Sequence, residues 1–127
     1  MIINPPDLPP PRGYSHGLVA QGRMLFVAGQ IGWTARAELI SDRFADQFDQ
    51  ALANVLSVVR AAGGTPESLA RLTIYVTDKA QYLSAQQETG ERYRARMGRH
   101  YPPMTLVVVR SLLEPGALVE IEATAVI

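Results

Sequence analysis

No cysteine occurs among the 127 residues, which excludes a disulfide framework, thiol catalysis and thiolate metal sites and fits a reducing, cytoplasmic compartment. Lysine is nearly absent too: Lys79 is the only one, and the 12 basic residues are balanced by 12 acidic ones to zero net charge. That balance supplies no general attraction to nucleic acid. No apolar run approaches the roughly 20 residues that a membrane-spanning helix needs. The opening MIINPPDLPPPRG has neither the basic nor the apolar region of an export signal, so a soluble cytoplasmic protein is expected. The two histidines, His16 and His100, lack HxxxH or HExxH spacing. No GxSxG elbow, GxGxxG turn or GxxxxGKS loop is present, so neither a metal nor a cofactor is expected.

What the chain does contain is a regular alternation of strand and helix patterns. One domain spanning 1–127 is expected, long enough to bury a core unaided, with residues 1–13 as an extended proline-rich leader. GLVAQG and RMLFVAGQ, separated by Gln21-Gly22-Arg23, read as a hairpin. Gly29 to Ile40 has no period and reads as a loop beside a pocket, with Gln30 and Trp33 either lining its mouth or packing. From Ser41 or Asp42, either able to cap, Phe44, Phe48, Ala51, Leu52, Val55, Val59 and Ala62 recur at helical spacing up to Gly63-Gly64. A β-branched strand, RLTIYVTD, follows; strand, helix and strand together suggest a parallel crossover. A second helix is expected over about Asp78 to Met97. Its exposed side holds Glu88, Arg92, Arg96 and Arg99 at spacings of four, four and three, a row read as a solvated face.

The final stretch, PPMTLVVVRSLLEPGALVEIEATAVI, reads as a second hairpin turning at Glu114-Pro115-Gly116. Its first arm is apolar on both faces and is expected to be buried on both. The resulting order, ββαβαββ, predicts an α+β fold: one mixed sheet with two helices on one face. The other face lacks a cover and is expected to pack against further copies of the chain. On the return arm Glu120 and Glu122 share a face with Leu118, where apolar residues are expected. A carboxylate there must be paired, protonated or hydrated. Glu120 is therefore either a chemical group or one half of an ion pair between subunits. Tyr14, on the strand pattern alone, is a core or surface tyrosine.

The ending VEIEATAV, the Gly29-Gln30-Ile31 turn, the segment QALANV with AAGG, and Tyr14 within PPRGYSHG together resemble the Rid family, also called YjgF or endoribonuclease L-PSP, over nearly the whole chain. The resemblance implies the chorismate-mutase-like Rid fold, a homotrimer, and small-molecule ligands held in clefts between subunits. It further implies that Glu120 positions an attacking water, that Tyr14 borders the cleft and that Asn54 is structural. Two features depart from the family pattern: the family's asparagine on the second helix is missing, with Gln86 nearest in register, and the substrate-gripping arginine is replaced. Where deaminating relatives carry an arginine that grips the substrate carboxylate, this chain has Met104, within Pro102-Pro103-Met104-Thr105, and a thioether cannot reproduce a bidentate guanidinium contact. Arg110, six residues along the same strand, is roughly 20 Å away, leaving Arg92 or Arg96 as the expected substitute. Two functions follow: an imine or enamine deaminase-like hydrolase of altered substrate range, or a non-catalytic trimer that binds small ligands or a partner. Ribonuclease activity, the third, fits the charge balance poorly.

Overall fold

The strongest helical period folds as α1, Phe44–Ala61. Phe44, Phe48, Ala51, Leu52, Val55 and Val59 are all buried, because spacings of three and four put them on one stripe. Ser41 organises the entry, its hydroxyl donating to Asp46 Oδ2 at 2.8 Å and accepting from the Arg43 amide at 3.0 Å. At the exit Gly63 adopts φ 89°, and the amides of Gly63 and Gly64 donate to the carbonyls of Arg60 and Val59. The last turn thus satisfies carbonyls that a helix end leaves open.

The computed structural model describes residues 1–127. Two short strands, β1 (Ile2–Ile3) and β2 (Gly17–Leu18), precede β3 (Met24–Ile31) and α1. Beyond α1 come β4 (Leu69–Val76), α2 (Lys79–Ser84), α3 (Gln86–Met97), β5 (Met104–Val108) and β6 (Val119–Val126). The main sheet is mixed and four-stranded in the order β3-β6-β4-β5, with β1 and β2 forming a separate pair. An 18-residue core fills the space between the sheet and the helices. The α+β class is as expected, and the helices lie on one sheet face.

Both hairpins read from the sequence are corrected. Gly17–Leu18 pairs with Ile2–Ile3, not with β3; the leader folds back, and the His16 amide donates to Asn4 Oδ1 at 2.8 Å. Arg23 instead exchanges two 2.7 Å backbone hydrogen bonds with Ile127, extending the β3–β6 ladder. Likewise β6 does not return beside β5 but inserts between β3 and β4, antiparallel to both. From that central place it buries Val119, Ile121, Ala123 and Ala125 against α1 and turns Glu120, Glu122 and Thr124 to the other face. β3 and β4 are parallel, as the crossover reading requires, but β6 lies between them. β5 pairs with β4 in parallel and forms the sheet edge, so its expected two-sided burial does not occur: Val107 and Val108 are 39% and 52% exposed. The expected second helix is two, broken at Ala85. Asp78 caps the first by accepting from the Gln81 amide at 2.9 Å.

Candidate functional site

A cavity of about 510 Å³ opens between the helical layer and the edge of the sheet. Phe48 of α1, Ile74 of β4, Met104 and Leu106 of β5, and Tyr82, Tyr93 and Tyr101 make it apolar and aromatic. Tyr14 and the preceding Arg12 and Gly13 close one side, and Gln86, Thr89, Gly90 and Arg94 line the other from α3. The tyrosines are fixed: Tyr93 and Tyr101 stack with centroids 5.3 Å apart, and the Tyr93 hydroxyl donates to the His100 carbonyl at 2.7 Å. Burial, with the neighbouring Tyr101, pushes the Tyr93 phenol far above its ordinary pKa, so it remains a neutral donor. The His100 ring donates through Nε2 to the Leu69 carbonyl at 2.7 Å.

Glu120 lies elsewhere. Paired with Tyr75 across β4 and with Ile31 across β3, it sits on the face that carries no helices. Ala28 and Gly29 form a bulge opposite Glu122, the register shifting between Val27 and Gln30. A side chain at Gly29 would be 2.6 Å from Glu120 Oε2, so the carboxylate rests directly over the glycine backbone. It has no hydrogen-bond or ion-pair partner in the chain. Glu122, by contrast, accepts the Tyr75 hydroxyl at 2.5 Å. That bond, with burial and the charges of Glu122 and Glu120, raises the Tyr75 pKa. Around the two carboxylates the face is mixed, with Phe26 73% and Met24 61% exposed.

Gln30, Trp33 and the loop that follows are anchored from α1. Asn54 donates to the carbonyls of Ile31 and Trp33 at 3.1 and 3.0 Å, which gives the expected structural asparagine a physical task. Gln30 Nε2 reaches only its own strand, at the Ala28 carbonyl, 3.3 Å, and Trp33 bridges to Leu39. Gln47, fully buried, donates to the carbonyls of Ser41 and Gly116 and accepts from the Leu118 amide. It thereby aims the start of β6, and Gly32 leaves room for it, since a Cβ there would lie 2.6 Å from Gln47 Cα.

The structure divides the expected site residues into groups. Tyr14 and Met104 share the cavity wall; Glu120 occupies the opposite sheet face, so one chain does not bring it to them. Gln30 and Trp33 lie at the end of β3 and outside the cavity lining. Arg92 and Arg96, the expected substitutes for an arginine at position 104, both pair with carboxylates of α1. Arg96 grips Asp49 with two bonds of 2.6 and 3.1 Å, and Arg92 binds Asp46 at 2.8 Å and Glu88 at 3.2 Å. The Ser41 hydroxyl holds Asp46, and the Arg96 guanidinium holds Asp49, below the ordinary carboxylate range. Carboxyls depressed in the fold contribute fully at neutral pH and lose that contribution as pH falls through their folded values. This clasp joins α1 to α3. Sequence reasoning missed Thr89, Gly90, Arg94, Tyr82 and Tyr101; Gln86, Thr89, Gly90, Tyr93 and Arg94 do recur at helical spacing, but they carry no apolar period.

The endoribonuclease L-PSP family model matches residues 6–127. A solved structure of the conserved Rid family from Yersinia pestis superposes with a TM-score of 0.88 at 35% identity, covering 100% of this chain and 98% of the other. A RutC family protein of Pyrococcus horikoshii is 30% identical over 98% of this chain and 95% of its own. A 2-iminobutanoate/2-iminopropanoate deaminase of Dermatophagoides farinae is 28% identical over 99% of this chain and 95% of its own. With the model spanning almost every residue and the fold superposing end to end, the chain belongs to the endoribonuclease L-PSP, or Rid, family.

Proposed function

We propose that the protein is an imine or enamine hydrolase of the deaminase type, acting on a small molecule in clefts between three copies of the chain. The observation that carries this reading is the unpartnered Glu120 carboxylate, held over Gly29 on the helix-free face while its neighbour Glu122 is tied to Tyr75. A carboxylate left free in this way is available to orient water and take its proton. Water adds to the C=N carbon while Glu120 takes one of its protons and passes it to nitrogen; the hydroxyl proton of the resulting carbinolamine then moves to the amine, and the C–N bond breaks to give ammonia and a carbonyl. The deaminase name of the mite relative supports the reaction type.

Glu120 and the aromatic cavity are on opposite faces of one sheet, so a site that uses both takes them from two copies. The exposed Phe26, Met24 and Val107 on that helix-free face supply apolar area for such packing. A homotrimer is expected, giving three times the 13.9 kDa chain mass by light scattering at micromolar concentration. A stable monomer would remove both the cover for the face and the shared site. Gly29→Ala tests the local geometry, because a methyl 2.6 Å from Oε2 must push the carboxylate aside. Turnover should fall while the trimer persists, and unchanged turnover counts against Glu120 as the water-orienting group. No helix is long and apolar enough to cross a membrane, and the absence of cysteine supports a cytoplasmic setting. A single lysine and zero net charge offer little phosphate neutralisation, so RNA is not the substrate proposed.

A further inference from the structure

No side chain of the protein holds the Glu120 carboxylate, so its position depends on the strand that carries it and on the backbone it rests over. Both are gripped from the other side of the sheet by amides of α1. Gln47 is fully buried in a stripe that is otherwise apolar, where packing alone favours a residue such as leucine. Its Nε2 donates to the Ser41 and Gly116 carbonyls at 2.9 and 3.0 Å, and its Oε1 accepts from the Leu118 amide at 2.8 Å. Two carbonyls and one N–H leave the amide a single orientation. Leu118 stands two residues before Glu120, at the entry to β6. Asn54, two helical turns beyond Gln47 and on the same side of α1, donates to the Ile31 and Trp33 carbonyls at 3.1 and 3.0 Å. Ile31 is the β3 residue paired with Glu120, and Gly29, two residues earlier, lies under the carboxylate. Between the two grips Gly32 brings the exit of β3 against the helix, where a Cβ would be 2.6 Å from Gln47 Cα and 2.7 Å from its carbonyl oxygen.

We propose that Gln47 and Asn54 are positioning residues for Glu120, a role that rests on the hydrolase reading. Gln47 sets where β6 begins, Asn54 sets the end of β3 beside it, and together they hold the carboxylate at the point from which it orients water. Neither amide meets the substrate. Both lie on the helix side of the sheet while Glu120 faces the helix-free side, so they act through strand backbone alone. Such a grip matters because misplacing a reacting group by about 1 Å costs on the order of a hundredfold in rate. Phe48, the next residue after Gln47, lines the cavity. Two routes therefore lead from position 47 to turnover, one through Glu120 and one through ligand binding, and KM separates them.

The test compares Gln47→Met, which fills the same space without the hydrogen bonds, with Asn54→Ala, whose half-buried partners water can reach. Two readouts are taken on the intact protein: steady-state kinetics on an oxidase-generated imine, and the carboxyl-carbon NMR resonance of Glu120, identified by its disappearance in Glu120→Gln. Each variant should lower kcat about tenfold to a hundredfold, leave KM unchanged, shift the Glu120 resonance and keep the wild-type assembly mass. Gln47→Met should also lower Tm, because buried carbonyls and an amide lose their partner, so the rates are measured well below the transition. If Gln47→Met does not assemble, Asn54→Ala decides by the same two readouts. A lowered Tm with kcat and the resonance unchanged makes the amides structural and overturns the proposal. So does a raised KM at unchanged kcat, which routes the effect through the cavity. Glu120→Gln separates the proposal from the reading on which it rests. If that variant turns over at the wild-type rate, the hydrolytic role fails, and the resonance alone decides whether the amides place the carboxylate. If it is inactive while both amide variants keep wild-type kcat and an unmoved resonance, the hydrolytic role stands and the positioning role fails.

Discussion

The wild-type protein should release keto acid from 2-aminoacrylate-type imino acids about 30-fold to several thousandfold more slowly than a Rid protein with an arginine at position 104, the equivalent of about 2–5 kcal/mol for one desolvated charge contact. Such substrates are short and anionic. In this cavity Met104, packed on the helix side of the sheet opposite Leu72, offers a carboxylate nothing in exchange for water. Arg92 and Arg96 pair with Asp46 and Asp49. Met104→Arg should therefore raise turnover of the short substrates and lower it for aryl ones. The check is an assay in which a lyase or oxidase generates the imine and keto-acid release is timed. Wild-type rates on 2-aminoacrylate equal to those of an arginine-bearing relative show that Met104 does not set the substrate class.

Glu120→Gln should reduce turnover by about a hundredfold to ten-thousandfold, the usual loss when a positioned acid or base is removed. Tm and assembly mass should barely move, since the carboxylate has no partner in the chain. Glu122→Gln should behave in the opposite sense, weakening the 2.5 Å contact with Tyr75 and lowering Tm while sparing the rate. If Glu120→Gln instead disrupts assembly and leaves catalysis intact, the carboxylate is an interface ion pair, which is the alternative the strand pattern itself raised. A small-ligand or partner-binding trimer without catalysis is then the better account.

The fold could be read in the sequence where local physics decides it. Helix α1 is legible because Phe44 through Val59 repeat at a helical period, and β4 because its residues are β-branched and alternate. Pairing was less legible, since a turn such as Glu114-Pro115-Gly116 reverses the chain without saying which strand receives it. What places β6 centrally is non-local: Gln47 on α1 fixes Gly116 and Leu118, and Arg23 meets Ile127 across most of the chain length. For the site, Glu120 stood out as a carboxylate in an apolar alternation, and Met104 as a departure from the family pattern. Arg94, Thr89 and Gly90 did not, because polar and small residues on a helix look solvated until the sheet edge is brought up against them. Helical spacing likewise gives the face that holds Arg92 and Arg96 but not the carboxylates of Asp46 and Asp49 that pair with them.

The central claim is that one copy supplies the cavity and another supplies Glu120. Complementation between two inactive variants measures this directly. Glu120→Gln keeps the cavity and loses the carboxylate. Gly90→Trp fills the cavity and keeps the carboxylate; a side chain there meets only the flexible end of Arg94, at 3.3 Å, so the helix should tolerate it. Each variant alone should be nearly inert toward the imine generated from phenylalanine by an amino-acid oxidase. Unfolded together in equal amounts and reassembled, random closed trimers place an intact cavity beside an intact Glu120 at about one site in four. Keto-acid release should recover to about that fraction of wild type, and a mixture that stays as inactive as its parents contradicts a site shared between copies.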